Sequence, residues 1–500
     1  MEKKKKVIII GAGLAGMSAG YYLQINGFNT EIFEMHTISG GLCASWKRKD
    51  YLIDGCIHFM TGISPEDSTF RFWHDLIDME SVRFVYPETH CVVEDNNRNQ
   101  ICFYSNADHL EAELLKKAPE DKKQIVQLTK AIKKFAKMKL PVFKPVENMT
   151  VSDKLRVAYQ MLPYLYSLYK FINITNGKFS EGFKNHDLKR AFEIAFVGDS
   201  SLFYTIMTLA MRHKKGCGYP IGGAIHIAGL IEKRYLQAGG KIHFNSKVTR
   251  TFVNNEIANG IELENGEKYI ADIIVSAADG HCTIYELLEG KFKDENILER
   301  YESDVFQTID KTLYVSLGIK KDLSTLPHKL YFQVNKPIKI DAKTELNVLD
   351  LTHYCYDPSA APIGKSLLTL MPETKDWEYW TNLRKTDKAK YDSEKERIAN
   401  EIIDALDQHF GNIKENIEMI DVVTPATYIR YTNNWTGGQI SWKATRKTFG
   451  KPTIWQIKGL SNFYMTGQWA AISGGLDAVV MMGNHLTQII CKKEKVKFKK

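Results

Sequence analysis

Gly11, Gly13 and Gly16 stand between a β-branched run, Val7 to Ile10, and a helix-compatible stretch, Met17 to Asn26. In that setting each glycine has a physical task. Gly11 permits a tight turn, Gly13 admits a pyrophosphate that any Cβ would strike, and Gly16 lets the helix lie close to the strand. Ala12, Leu14 and Ala15 lie between them, where free N–H groups and the partial positive charge of a helix start favour phosphate. Glu34 follows Gly16 by 18 residues, at the end of a second strand-like run, NTEIFE. A carboxylate there accepts hydrogen bonds from a ribose 2′-OH and repels a 2′-phosphate. One β-α-β unit that binds a dinucleotide is therefore expected.

A second glycine pair, Gly40-Gly41, comes six residues after Glu34 and leads into Leu42. It offers another backbone approach to the same long cofactor, which nicotinamide enzymes do not need. Near the other end, Gly467-Gln468-Trp469 and then Gly474-Gly475-Leu476-Asp477 open an apolar helix. This second strand–glycine–helix entry would aim a helix N-terminus at the pyrimidine side of a flavin and stabilise the negative charge of its reduced form. Both ends of the chain meeting one cofactor imply a discontinuous domain.

The elements that must position these residues follow from the pattern between them. Residues 107–139 read as lysine-rich helix, and residues 151–172 as an apolar and aromatic helix broken near Pro163. A helix over 223–238 precedes a strand over 241–252 and a hairpin-like run over 253–277, with turns expected at Asn259-Gly260 and Asn265-Gly266. Strands over 310–370, a charged helix over 393–410 and a strand–glycine–helix end over 460–491 complete the chain. The expected fold class is α/β. A Rossmann-like domain is assembled from 1–75, 215–295 and 455–500, and an α+β substrate domain with membrane-facing helices from 76–214 and 296–454.

The formal net charge of +8 lies wholly in the two tails: four lysines against Glu2 at the start, six lysines against Glu494 over 492–500. This distribution argues against nucleic acid, which calls for a basic folded face. It leaves solvated tails or contact with an anionic membrane surface. The basic stretch Lys122 to Lys144 is open in the same way, as a solvated helix face or a membrane-resting helix. The eight cysteines form no CxxC, and no cysteine or histidine group has metal-ligand spacing. No 18-residue apolar run exists, so the cytoplasm with peripheral membrane contact is expected. Aromatic residues reach 11% and cluster over 70–73, 159–171, 428–442 and 463–469, as core packing or as the walls of an apolar tunnel.

VIIIGAGLAG, Glu34, the Gly40-Gly41 pair and the C-terminal GGLDA helix together resemble the FAD-dependent amine-oxidase superfamily. Tyr219-Pro220-Ile221-Gly222-Gly223 followed by Gly239-Gly240-Lys241-Ile242, and the stretch Tyr51 to Gly62, are similar to segments of phytoene desaturases, carotenoid isomerases and retinol saturases. Residues 357–365 and Pro425-Ala426-Thr427 with Arg430-Tyr431 extend that likeness. The resemblance implies bound FAD, with Val248 holding the adenine through its backbone. It implies hydride exchange between flavin N5 and a C–C or C=C unit of an apolar, isoprenoid, carotenoid- or retinoid-like substrate, as desaturation, saturation or isomerisation. Two positions depart from the pattern: Leu42 replaces the usual arginine, and Gln468 replaces an acid while keeping hydrogen-bonding capacity. No catalytic residue is assigned, because a polyene delocalises developing charge; His58 and Asp54 fall in the saturase-like segment. Two other readings stay open at this level: a flavin oxidase of an amine or other small polar substrate, and a non-enzymatic carrier of prenylated proteins.

Overall fold

The computed structural model describes residues 4–309, 311–448, 450–472 and 475–499. Val7, Ile8 and Ile9 expose no surface, as expected of a strand covered on both faces. They lie in β1 (Lys6–Ile10), which passes through the glycine turn into α1 (Leu14–Ile25) and returns as β2 (Asn29–Phe33). Later segments add α2 (Gly223–Gln237), β3 (Lys241–His243), β4 (Ile273–Ser276), β5 (Phe463–Met465) and α3 (Leu476–Lys493). The strands make one parallel sheet in the order β3-β2-β1-β4-β5. Ile8 sits between Glu31 and Ile274, and Ile274 in turn pairs with Phe463, so head, middle and tail share one register.

α3 lies against α1 at backbone distance. Ser18 Oγ donates to Val480 O at 2.7 Å, and a Cβ on Gly483 would come within 2.5 Å of that same Oγ. The chain end is also tied down: Lys499 N donates to Asn26 Oδ1, and Asn26 Nδ2 donates back to Lys499 O at 3.0 Å. Phe498 packs on the nucleotide-domain core, and Lys5 pairs with Glu494. The C-terminal tail is thus docked rather than wholly solvated, because Phe498 has an apolar core to join.

A second sheet of seven strands runs in the order Ile417–Val423, Tyr314–Ile319, Ser366–Leu370, Glu345–His353, Lys329–Lys339, Thr89–Glu94 and Gln100–Tyr104. It is antiparallel except where Lys329–Lys339 meets Thr89–Glu94. Ile398, Ile402 and Leu406, one stripe of the helix Lys388–Phe410, share a core with Leu317 and Leu368 on this sheet. A helical layer from Ala107–Lys117 to Leu202–His213 builds a further core with Cys91 and Phe103.

Three local expectations are corrected. Asn259-Gly260 is not a turn but lies within the strand Ile257–Leu263, where Gly260 faces Ile270 and a Cβ would strike Tyr269 O at 2.2 Å. The turn before that strand falls on Asn255 and Glu256, both at positive φ. The helix over 107–139 is split at Pro119, which lacks the N–H to continue it. The apolar face of Lys122–Ala136 does not rest on a membrane: Ile125, Leu128, Ile132 and Phe135 are at most 1% exposed and belong to the helical core. The apolar surface left outside belongs to the next helical stretch, where Val151, Leu155, Tyr159, Leu162, Tyr166 and Tyr169 are each at least 64% exposed.

Candidate cofactor and active site

The glycine turn has the shape its sequence requires. Gly11 N donates to Phe33 O at 2.8 Å with φ +98°, a conformation that favours glycine. A Cβ on Gly16 would sit 2.0 Å from Gly11 O, so only glycine lets α1 close on β1. Gly13 differs: an added Cβ would meet nothing nearer than Gly40 O at 4.0 Å, so this face of the turn is open. Gly13 caps α1 with no side-chain acceptor, and the first turn holds no acid, so the N–H groups at the helix start are offered outward.

The second glycine pair completes the same surface. Gly40 N donates to Ala12 O at 2.9 Å, and Gly13 and Gly40 form a parallel bridge. A Cβ on Gly41 would come within 3.3 Å of Gly13 Cα. Two glycine segments thereby form one continuous backbone cradle beside the helix start.

Glu34, 6% exposed, stands at the rim. Its Oε2 accepts from Ala12 N at 2.7 Å and its Oε1 from His36 N at 2.8 Å. Burial raises its pKa, which these N–H donors oppose. Each oxygen keeps a lone pair for a ribose hydroxyl. Ser246 N donates to Glu34 O at 2.8 Å, which brings Val248, the start of the strand Val248–Asn254, to the same rim.

The chain's far end arrives opposite. Gly467 has φ +94°, and a Cβ there would lie 3.3 Å from Ala15 Cβ. Gln468 follows, its carbonyl accepting from Ser441 Oγ at 2.8 Å. Gly475 caps α3 at φ +119° and Leu476 begins the helix; Gly474 lies outside the described residues. The Asp477 carboxylate accepts from Thr61 Oγ1 at 2.7 Å and Thr69 Oγ1 at 3.1 Å, pinning α3 to the 61–69 segment. A dinucleotide fits what is present: an open glycine face, free helix-start donors and a carboxylate at the rim.

Beyond the cradle the surroundings turn apolar and aromatic. Leu42 packs on Tyr314, Val423 and Tyr428, joined there by Trp46 and Met371. Tyr314 belongs to a chain of hydrogen bonds that sequence reading missed. Tyr354 OH lies 3.4 Å from His58 Nδ1, and His58 Nε2 lies 3.2 Å from Tyr314 OH. Tyr314 OH donates to Gln439 Oε1 at 3.5 Å, and Gln439 Nε2 donates to Tyr428 OH at 2.5 Å. A neutral imidazole protonated on Nε2 satisfies every contact in this chain. Burial, with the charges of Lys329 and Arg212, pushes His58 down to about 3 and keeps it neutral. Only His58 carried a sequence signal; Tyr314 opens the strand Tyr314–Ile319 and Tyr354 directly follows the strand Glu345–His353, neither inside a motif.

Asp54 has a structural task. It is 3% exposed, and its carboxylate accepts from Cys56 N, Ile57 N and Ala224 N, each at 2.8 Å, fastening the strand Tyr51–Asp54 to the start of α2. Burial pushes it up to about 6 against those donors. Among the described residues no helix is long and apolar enough to cross a membrane.

Residues 9–76 match a family model for an NAD(P)-binding Rossmann-like domain. Over its whole length the chain is 23% identical to a 4,4′-diapophytoene desaturase of Methylomonas sp, of which 98% is covered. It is 26% identical over 84% of its length to an inactive all-trans-retinol 13,14-reductase of Danio rerio, covering 74% of that protein. A chloroplastic prolycopene isomerase of an Oncidium hybrid cultivar is 22% identical over 95% of this chain and 82% of its own. Among solved structures, a triple mutant of putrescine oxidase superimposes with a TM-score of 0.62 at 12% identity, over 98% of this chain and 99% of that one. An oxidoreductase of Methanosarcina mazei gives 0.60 at 17% identity, over 97% and 100%. The chain has the fold of these oxidase and oxidoreductase structures, and over most of its length its sequence is similar to a diapophytoene desaturase, a retinol reductase and a prolycopene isomerase.

Proposed function

We propose that this chain is an FAD-dependent oxidoreductase that exchanges hydride with a C–C or C=C unit of an apolar, polyene-like isoprenoid substrate. The observation that carries this reading is the open face at Gly13, bordered by Gly40-Gly41, Glu34 and the helix start of α1. Gly11 through Gly16, Gly40 and Gly41 would receive the pyrophosphate, Glu34 the ribose, Val248 the adenine, and Gly467, Gln468, Gly475 and Leu476 the flavin end. Bound FAD supplies a hydride acceptor or donor at N5.

The protein's own contribution is orientation and dryness. Leu42, Trp46, Met371, Tyr314 and Tyr428 offer an apolar, aromatic wall beside the cradle. His58 stays neutral and organises Tyr354, Tyr314, Gln439 and Tyr428, holding hydroxyl protons at fixed places without a buried charge. An amine substrate would be served by a free carboxylate; Asp54 is committed to three backbone N–H groups.

The exposed stretch over 151–169 supports an anionic membrane as the place where such a substrate is met. Its apolar residues recur at helical spacing. Residues 122–172 carry eleven lysines and arginines against two acids. Lys130, Lys133, Lys134 and Lys137 converge with Pro163 and Tyr164 around one surface hollow, and Lys492 reaches Glu147 O at 3.4 Å. The test of the reaction is anaerobic: the FAD-loaded chain is mixed with polyene hydrocarbons, with their saturated precursors, or with primary amines. Flavin bleaching or reoxidation by the hydrocarbons alone supports the reading; bleaching by amines alone overturns it.

A further inference from the structure

Arg212 lies in the last turn of the helix Leu202–His213, its guanidinium 4.7 Å from the centre of the Phe59 ring. Its Nε is buried without an acceptor, and among the described residues no carboxylate pairs with it. Nearby cations are matched: Lys329 pairs with Asp350, and Lys214 with Asp67 at 2.5 Å. A buried guanidinium N–H left without a partner is costly, so a structure that keeps one has a partner elsewhere.

The groups around Arg212 describe an interior space. Burial, with the charges of Arg212 and Lys329, pushes His58 and His328 down to about 3 and His90 well below its usual value. Yet His58, His90, His328, Tyr331 and Tyr356 all retain accessible surface. Side chains that are desolvated and still accessible line a cavity rather than the outside. His90 Nδ1 is a second buried atom there without a partner. The pocket therefore holds one unmatched positive charge, neutral imidazoles and aromatic walls.

Resting on the apolar-substrate reading, we propose that Arg212 receives the terminal carboxylate of an otherwise apolar chain, with His90 as a second contact. One unmatched cation suits a monoanion. A hydroxyl would leave the guanidinium charge unneutralised, and a phosphate dianion would bring a charge too many. His58 ties this end to the cofactor side, since it hydrogen-bonds Tyr314, which packs with Leu42 beside the glycine pair. A substrate gripped at its carboxylate would be held in one register against the flavin.

The test uses the full, FAD-loaded chain and two fluorescent probes, cis-parinaric acid and its methyl ester, which differ only in the terminal charge. The wild type is expected to bind the acid about tenfold or more tighter than the ester, the worth of one charge-assisted hydrogen bond. Arg212→Met should bring the two probes level while leaving ester binding and FAD content unchanged, and Arg212→Lys should restore part of the preference. Equal binding of acid and ester by the wild type overturns the proposal, as does a preference that survives in Arg212→Met. If Arg212→Met fails to fold, Arg212→Gln decides: an acid preference equal to that of the wild type overturns it. Failure of the wild type to bind either probe strikes the apolar-substrate reading itself, and the proposal falls with it.

Discussion

A Cβ built on Gly467 would stand 3.3 Å from the Cβ of Ala15, so the turn that follows β5 touches the first turn of α1. Nothing local brings these residues together; β4 does, by pairing with β1 on one side and β5 on the other. Cofactor binding in this fold is therefore a property of the assembled sheet.

Gly13 and Gly16 should separate binding from folding. Gly13 has φ −67°, which any residue adopts, and open space where a side chain would go. Gly13→Val is expected to keep the wild-type circular dichroism and melting temperature of the apoprotein but to lose FAD. Gly16→Ala is expected to unfold the domain, because its Cβ would overlap Gly11 O at 2.0 Å. Flavin content and thermal melts of both variants check this; FAD retained by Gly13→Val contradicts it.

Asp477→Ala should cost stability rather than cofactor. The carboxylate serves the hydroxyls of Thr61 and Thr69, and stranding two partly buried donors costs about 1–3 kcal/mol. The expected outcome is a lower urea midpoint with one FAD still bound. Loss of FAD at unchanged stability would place Asp477 on the cofactor instead.

Acid should destabilise the fold through its histidines. Burial pushes His58 and His328 down to about 3, and His353, His409 and His485 to about 4. Unfolded imidazoles bind protons below about pH 6.5, so the unfolded state takes up more protons as pH falls. Stability is full above that pH and is lost progressively toward the folded values near 4 and 3. Asp54 and Asp279, raised by burial to about 6 and about 7, act in the opposite sense together with the raised Glu34 and Asp477, but these four acids stand against eight lowered histidines, His90, His213 and His281 included. Urea midpoints should fall between pH 7 and pH 5; a midpoint that rises over this window contradicts the assignment.

Membrane binding should follow the exposed helix, not the lysine-rich one before it. Replacing Leu155, Tyr159 and Tyr166 by serine, all more than 60% exposed, should abolish sedimentation with phosphatidylserine vesicles without lowering the melting temperature. High salt should weaken binding of the wild type through its lysines. Undiminished binding by the triple variant would point to another surface.

The parts legible in sequence were those with backbone demands. Gly11, Gly13, Gly16 and Glu34 announce the β-α-β unit because turn, pyrophosphate and ribose each require one residue type at one spacing. The aromatic chain through His58 was not legible: Tyr314 reaches it from the start of one strand and Tyr354 from the end of another, and a tyrosine looks the same in sequence whether it packs or hydrogen-bonds. Lys122–Ala136 stayed open between a solvated face and a membrane-resting one because a basic amphipathic helix has the same pattern on a protein core as on a lipid surface; its apolar face packs on the core. Asn259-Gly260 misled because Gly260 is demanded by close approach to Tyr269 rather than by a turn.

The central claim, that head, middle and tail hold one FAD, is tested most directly by the cofactor itself. The purified 500-residue chain, reconstituted with FAD and passed through a desalting column, should be yellow and release one FAD per chain on denaturation, with a higher melting temperature than the apoprotein. A folded, colourless protein that takes up no FAD and shows no shift in melting would contradict it.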